Sequence, residues 1–274
     1  MEKKFEIKNL ILFFVLTFIF TWSLWIPTAM ISQGFVFPKF LEEFFVSPYN
    51  PAAFGPLFAA LVLSYYFGGK NDLFKLLRRG FDYHFEKKWF IPIFFLFPAM
   101  NGVALLISVL SGEILPNLTV ISNPLTILVA FFYILFLGGP LAEEFGWRGY
   151  ALGRLQLRWN ALISSIMLGL IWGAWHLPLF FINGTIQSMV PIWAFMVLII
   201  CGTILFTWIY NNTNGSIMAA LIFHTMNNLA FFIFPIMETS MGGLYLLVIN
   251  IVVVLSVIII WGPVNLSKTK RVFI

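Results

Sequence analysis

Apolar residues fall in eight long runs separated by short polar connections, at residues 10–31, 50–67, 89–110, 124–142, 160–182, 190–210, 215–237 and 244–264. A helix needs about 20 apolar residues to cross a hydrocarbon core of about 30 Å, so each run is read as a membrane-crossing helix. The first follows Lys3, Lys4 and Lys8, as the apolar core of a signal peptide would. Its 22 uncharged residues exceed the roughly 7–15 of such a core, and it is read as a retained helix. The pattern predicts an all-α polytopic membrane protein, a bundle of about eight transmembrane helices around an intramembrane polar cavity. No serine- or glycine-rich linker, clear repeat or long loop divides it, so residues 1–274 are read as a single membrane domain.

Composition sharpens this. Of 274 residues, 61% are hydrophobic, 19% aromatic and only 10% charged, against roughly a quarter charged in soluble domains. That excludes a soluble enzyme, a disordered chain and a nucleic-acid binder, despite a net charge of +5. The charge reports orientation instead. Of 16 basic residues, all but Lys39 fall in the two termini and the second-to-third and fourth-to-fifth connections, which lie on one side of an eight-span chain. Basic residues near span ends are held in the cytoplasm, so both termini are placed there, in a plasma membrane if the cell is prokaryotic. In the second connection, Leu73, Phe74, Leu76 and Leu77 interleave with Lys75, Arg78 and Arg79, a pattern suited to a short helix in the headgroup layer. The one cysteine, Cys201, can form no intrachain disulfide and is read as a small packing residue.

Against so apolar a background, ionisable residues inside spans are functional candidates, each needing a partner. Three clusters qualify: Glu143-Glu144-Phe-Gly-Trp-Arg148, Trp172-Gly-Ala-Trp-His176 and His224-Thr-Met-Asn-Asn228. Residues four apart share a helix face, so Glu144 pairs with Arg148 and leaves Glu143, about 100° around the helix, for the cavity. Upstream, Gly138-Gly139-Pro140 weakens the helix, because Pro140 has no N–H to give to Phe136. Broken helix at membrane depth is tolerated where it lines a polar or protein-filled space. Gly169 and Gly173 form a small-residue face that admits a close neighbour. Asn228 shares the face of His224.

These side chains supply a general base, a polarising group and an oxyanion donor, the parts of water-driven amide hydrolysis. In one mechanism Glu143 with His176 activates water while His224 and Asn228 stabilise the oxyanion. In the other, His176, His224 and Glu143 hold a divalent metal such as zinc, whose bound water attacks. The His-Glu-x-x-His zinc helix is absent. A transporter or proton pathway could use the same residues, but would favour acids spread over several helices and a repeated half.

Taken in order on separate hydrophobic helices, Glu143-Glu144-x-x-x-Arg148, the aromatic Trp172 four before His176, and His224-x-x-x-Asn228 resemble the CPBP family of intramembrane proteases. This family, also called the Abi or CAAX amino-terminal protease family, includes the type II CAAX prenyl endopeptidases, and its bacterial members include proteins linked to bacteriocin immunity. The resemblance spans about residues 124–232. It implies Glu143 as the water-activating residue, with His176, His224 and Asn228 catalytic and Glu144, Arg148 and Trp172 as further motif residues. It also implies a membrane-associated or lipidated peptide or protein as substrate, and leaves an inactive immunity or interaction protein on the same fold as the alternative. Trp172 stands where the second motif usually has phenylalanine. One conflict remains: at about 1.5 Å per residue, Glu143 falls near the cytoplasmic end of a straight fourth span, whereas His176 lies past the midplane of the fifth.

Overall fold

The computed structural model describes residues 7–47 and 49–269. Lys3, Lys4, Lys270 and Arg271, part of the basic asymmetry, lie outside them. All eight predicted runs are helical: α1 (Ile7–Ser32), α3 (Gly55–Arg79) beyond the short α2 (Lys39–Val46), α4 (Phe90–Leu110), and, past the single-turn α5 (Thr119–Ser122), α6 (Leu125–Leu137). Helix restarts as α7 (Pro140–Gly146), continues as a π-helical stretch (Trp147–Leu152), and ends in α8 (Gly153–Gln156). Then come α9 (Ala161–Trp175), α10 (Ile192–Asn212), α11 (Ile217–Ile233) and α12 (Gly242–Trp261).

Among the described residues, six helices are long and apolar enough to cross a bilayer, or seven if the bent pair Leu125–Leu137 and Pro140–Gln156, which meet at 44°, is one span. The run at 215–237 is the exception: its helix, α11, has 17 residues, roughly 25 Å, and is the short one of the bundle. The chain is an integral membrane protein of all-α polytopic fold.

The hydrogen bonds across the connections sort them into two ends. At one end Asn214 Nδ2 donates to the His84 carbonyl, Ser216 Oγ donates to the Asp82 carbonyl, and Asn211 Nδ2 donates to the Asn265 carbonyl. At the other, Gln33 Nε2 donates to the Phe181 carbonyl, Asn183 N to Ser32 Oγ, and Ser240 N and Met241 N to the Glu113 carboxylate. The strand of chain after α12 is strapped across the first end. Val264 and Pro263 carbonyls accept from Ala161 N (2.9 Å) and Leu162 N (3.1 Å), and Leu266 is buried at φ 46° with its carbonyl on Asn212 Nδ2.

Helix starts follow local chemistry. The Asn160 side chain accepts from Ile163 N at 2.8 Å and Ser216 Oγ from Ala219 N at 3.0 Å, satisfying amides that a helix start leaves bare. The expected helix in the second connection is the end of α3, set off by Gly69 at φ 65°. Its Arg79 is not a headgroup charge. It turns inward, donating to the carbonyls of Gly149 (2.9 Å) and Gly215 (2.8 Å) and to Tyr210 Oη (2.7 Å). The small face on α9 meets α10: a Cβ on Gly169 would lie 2.9 Å from Ile200 Cα, and one on Gly173 3.0 Å from Ile199 Cγ2.

The predicted fourth run does not end at Ala142. Gly138-Gly139 breaks it within the bundle, and the stretch from Pro140 to Gln156 carries on toward the end where α9 begins. Glu143 is therefore 13 residues, roughly 20 Å, from that end, and Trp172 is 11 residues up the returning helix. The conflict over depth disappears, because the two stretches form a hairpin that sets Glu143 level with Trp172.

Candidate active site

Residues 142 to 153 are all buried. Pro140 suits the first turn of a helix, where its missing N–H costs nothing. Gly139 is needed before it: its φ is 109°, and a Cβ there would lie 2.7 Å from Glu143 Oε1. The restart puts Glu143 in a helix's first turn, where the free amides favour a negative charge. The π-helical turns that follow are rare and often occur at functional sites.

Glu143 is 6% exposed. Its Oε2 accepts from Trp172 Nε1 at 2.6 Å and from Trp147 Nε1 at 3.3 Å. Glu144 and Arg148 expose nothing, and Arg148 Nη1 donates to Glu144 Oε1 at 2.9 Å. The guanidinium lies between two rings, 4.4 Å from the Trp172 centroid and 4.1 Å from that of Phe206. Its Nε and Nη2 find no hydrogen-bond acceptor there, and the π faces stabilise the charge instead. A snorkelling charge at a helix end would be exposed, and this pair is not.

The histidines are held by their Nδ1 atoms. His176 Nδ1 lies 2.8 Å from the Trp172 carbonyl, which can only accept, so the proton sits on Nδ1 and Nε2 is left free. His224 Nδ1 lies 2.8 Å from Glu144 Oε1, making Glu144 the shared partner of Arg148 and His224. Asn228, half-buried one turn along α11, donates Nδ2 to the Gly138 carbonyl at 3.2 Å, at the break beside Glu143.

The structure thus brings Glu143, Glu144, Arg148, Trp172, His176 and His224 into one contiguous cluster and sets Asn228 at its edge. The expected cavity is closely packed at this level, since Glu143, His176 and His224 are each under a tenth exposed. Trp147 and Gly139 belong to the cluster too. Trp147 stands four residues from Glu143 with an N–H that needs a partner when buried, a signal present in the sequence; the role of Gly139 depends on the direction in which Glu143 turns.

The zinc alternative would use His176, His224 and Glu143. Among the described residues no three His, Cys, Asp or Glu side chains converge closely enough to hold a metal ion. Physically, one Glu143 oxygen is taken by two indole N–H groups, and His224 is turned to Glu144 rather than to Glu143.

Two comparisons bear on the cluster. The family model described as Type II CAAX prenyl endopeptidase Rce1-like matches residues 124–230. A protein of Methanococcus maripaludis described as CAAX prenyl protease 2 is 31% identical over 229 residues, covering 80% of this chain and 82% of that one. The family match takes in the hairpin and α11 as far as residue 230.

Proposed function

This chain belongs to the CPBP family of CAAX-type intramembrane endopeptidases, and we propose that Glu143 is its water-activating base. What most supports this reading is one observation: a buried carboxylate fixed on one oxygen by two N–H donors, beside two histidines whose Nε2 atoms are free.

In this reading Glu143 takes a proton from a water molecule as its oxygen adds to the scissile carbonyl. The carbonyl oxygen becomes an oxyanion, for which His224 Nε2, when protonated, and the Asn228 amide are donors. His176 orients the water through Nε2. Collapse of the tetrahedral intermediate breaks the C–N bond, and Glu143 returns its proton to the leaving amine. Glu144 and Arg148 hold the imidazole of His224 in place and touch no reacting atom.

The substrate proposed is a prenylated CAAX-type peptide lying in the membrane, by analogy with the activity named for the archaeal relative. We further propose that the end carrying residues 80–89, 157–160, 213–216 and 262–269 is cytoplasmic, since Lys87, Lys88, Arg158 and Lys268 lie there and Lys39 lies at the other.

The test is cleavage of a farnesylated CAAX-type peptide by the purified chain in detergent, set against the same peptide without the farnesyl group. Glu143→Gln keeps the shape of the side chain and removes the base, and should lower turnover by about 10²–10⁴ with the unfolding transition unchanged. An active Glu143→Gln protein would refute the assignment, and equal cleavage of both peptides would refute the substrate class.

A further inference from the structure

Trp172 touches four of the charged or titratable groups of the cluster: Glu143, Arg148, His176 and His224. Its indole N–H donates to Glu143, and its ring lies under the Arg148 guanidinium. Its carbonyl holds His176 Nδ1, and its ring packs edge-on against His224 with centroids 5.5 Å apart. A packing aromatic needs only the ring. The N–H adds a 2.6 Å contact to a carboxylate, at the short end for an N–H donor, as a charged acceptor favours.

Trp147 brings a second N–H to the same oxygen from one helical turn away, with its own ring fixed edge-on against Phe13 and Trp175, both at 5.8 Å. Neither indole is free to swing. Glu143 Oε1, in contrast, meets neither indole and lies against Gly139, whose missing Cβ leaves bare backbone beside it. The two oxygens of one carboxylate are in different surroundings.

We infer that Trp172 and Trp147 are positioning residues for the base: their indole N–H groups pin Glu143 Oε2 and leave Oε1 as the atom that meets the water. This rests on the reading of Glu143 as the base. The other groups facing this carboxylate are Glu144 and Arg148 on its own helical stretch, His176 after α9 and His224 on α11. All of them are retained when an indole is changed, so the loss of an N–H can be read by itself.

The experiment uses the full chain in detergent and two replacements, Trp172→Phe and the benzothienyl isostere of tryptophan at 172, which keeps the bicyclic shape and has sulfur in place of N–H. Infrared difference spectroscopy follows the protonated carboxyl band of Glu143, identified by its loss in Glu143→Gln. In both replacements that band should move in frequency relative to the unaltered protein, because the carboxyl oxygen has lost a hydrogen-bond donor. With the farnesylated peptide, kcat should fall about tenfold at unchanged KM.

An unmoved carboxyl band in the isostere would overturn the inference, as would a kcat loss that appears in Trp172→Phe and not in the isostere, which marks packing alone. The underlying reading fails separately. If Glu143→Gln still turns over substrate, Glu143 is not the base whatever the tryptophans do. If that variant is inactive while both replacements match the unaltered protein in band and kcat, only the positioning role is lost.

Discussion

The two halves of the bent fourth run differ more than any other neighbours in the chain. In α6 no residue is buried, and Leu125, Val129, Tyr133 and Leu137 are all more than 60% exposed. Beyond the Gly138-Gly139 break, residues 142–153 are buried without exception and include two glutamates and an arginine. In water this order would be inverted. In a bilayer the apolar half faces lipid, which is as apolar as leucine, and the polar half must find its partners inside the protein. The difference teaches that along this bent run the ionisable residues mark the interior and the apolar half marks the rim.

That contrast predicts a graded response to substitution. The largest effect on stability belongs to the ion pair. Glu144→Gln or Arg148→Met strands a buried charge and should cost about 3–5 kcal/mol, read from unfolding in mixed micelles. Replacing both with apolar residues should recover part of the loss, and single variants as stable as the unaltered protein would break the comparison. Next is the hinge. Gly139→Ala meets both a left-handed backbone and the Glu143 carboxylate, so about 1–3 kcal/mol of strain and a slower turnover are expected, measured side by side with Gly112→Ala, which has φ 100° and nothing near its Cβ. Strain alone would make the two alike in stability; only Gly139→Ala should touch turnover.

Smaller still is Asn228→Ala, which releases the Gly138 carbonyl and should cost about 0.5–1.5 kcal/mol by the same unfolding assay. At the bottom, Leu128→Ala on the outer half should change stability by no more than about 0.5 kcal/mol and leave turnover alone. A large loss there would mean that α6 is covered by protein rather than lipid.

The eight runs were legible because a bilayer demands length and apolarity, and the Glu144–Arg148 pair because four-residue spacing sets both on one face. The fourth run was misjudged at its inner end. Gly138-Gly139-Pro140 has the composition of a terminus, and only tertiary packing of the buried stretch shows that helix resumes and runs on to Gln156. Arg79 was read as a headgroup charge since its neighbours are basic, yet its three acceptors come from Gly149, Tyr210 and Gly215, far away in sequence. His224 was set beside Asn228 by spacing along one helix. Its bond to Glu144 crosses 80 residues and leaves no local trace. The indole bonds to Glu143 were half legible, because a buried Trp N–H needs an acceptor, but nothing in the spacing names it.

The strap after α12 makes the start of α9 depend on a stretch of chain far away in sequence. The first two amides of α9 are satisfied by carbonyls at 263 and 264, and the α10 terminus is tied to 265 and 266, so the hairpin that carries Trp172 and His176 is anchored from outside itself. Without that segment the helix-start amides of α9 have no protein partner. Cutting the strap should therefore loosen the alignment of Glu143 with His176 while leaving both residues in the membrane.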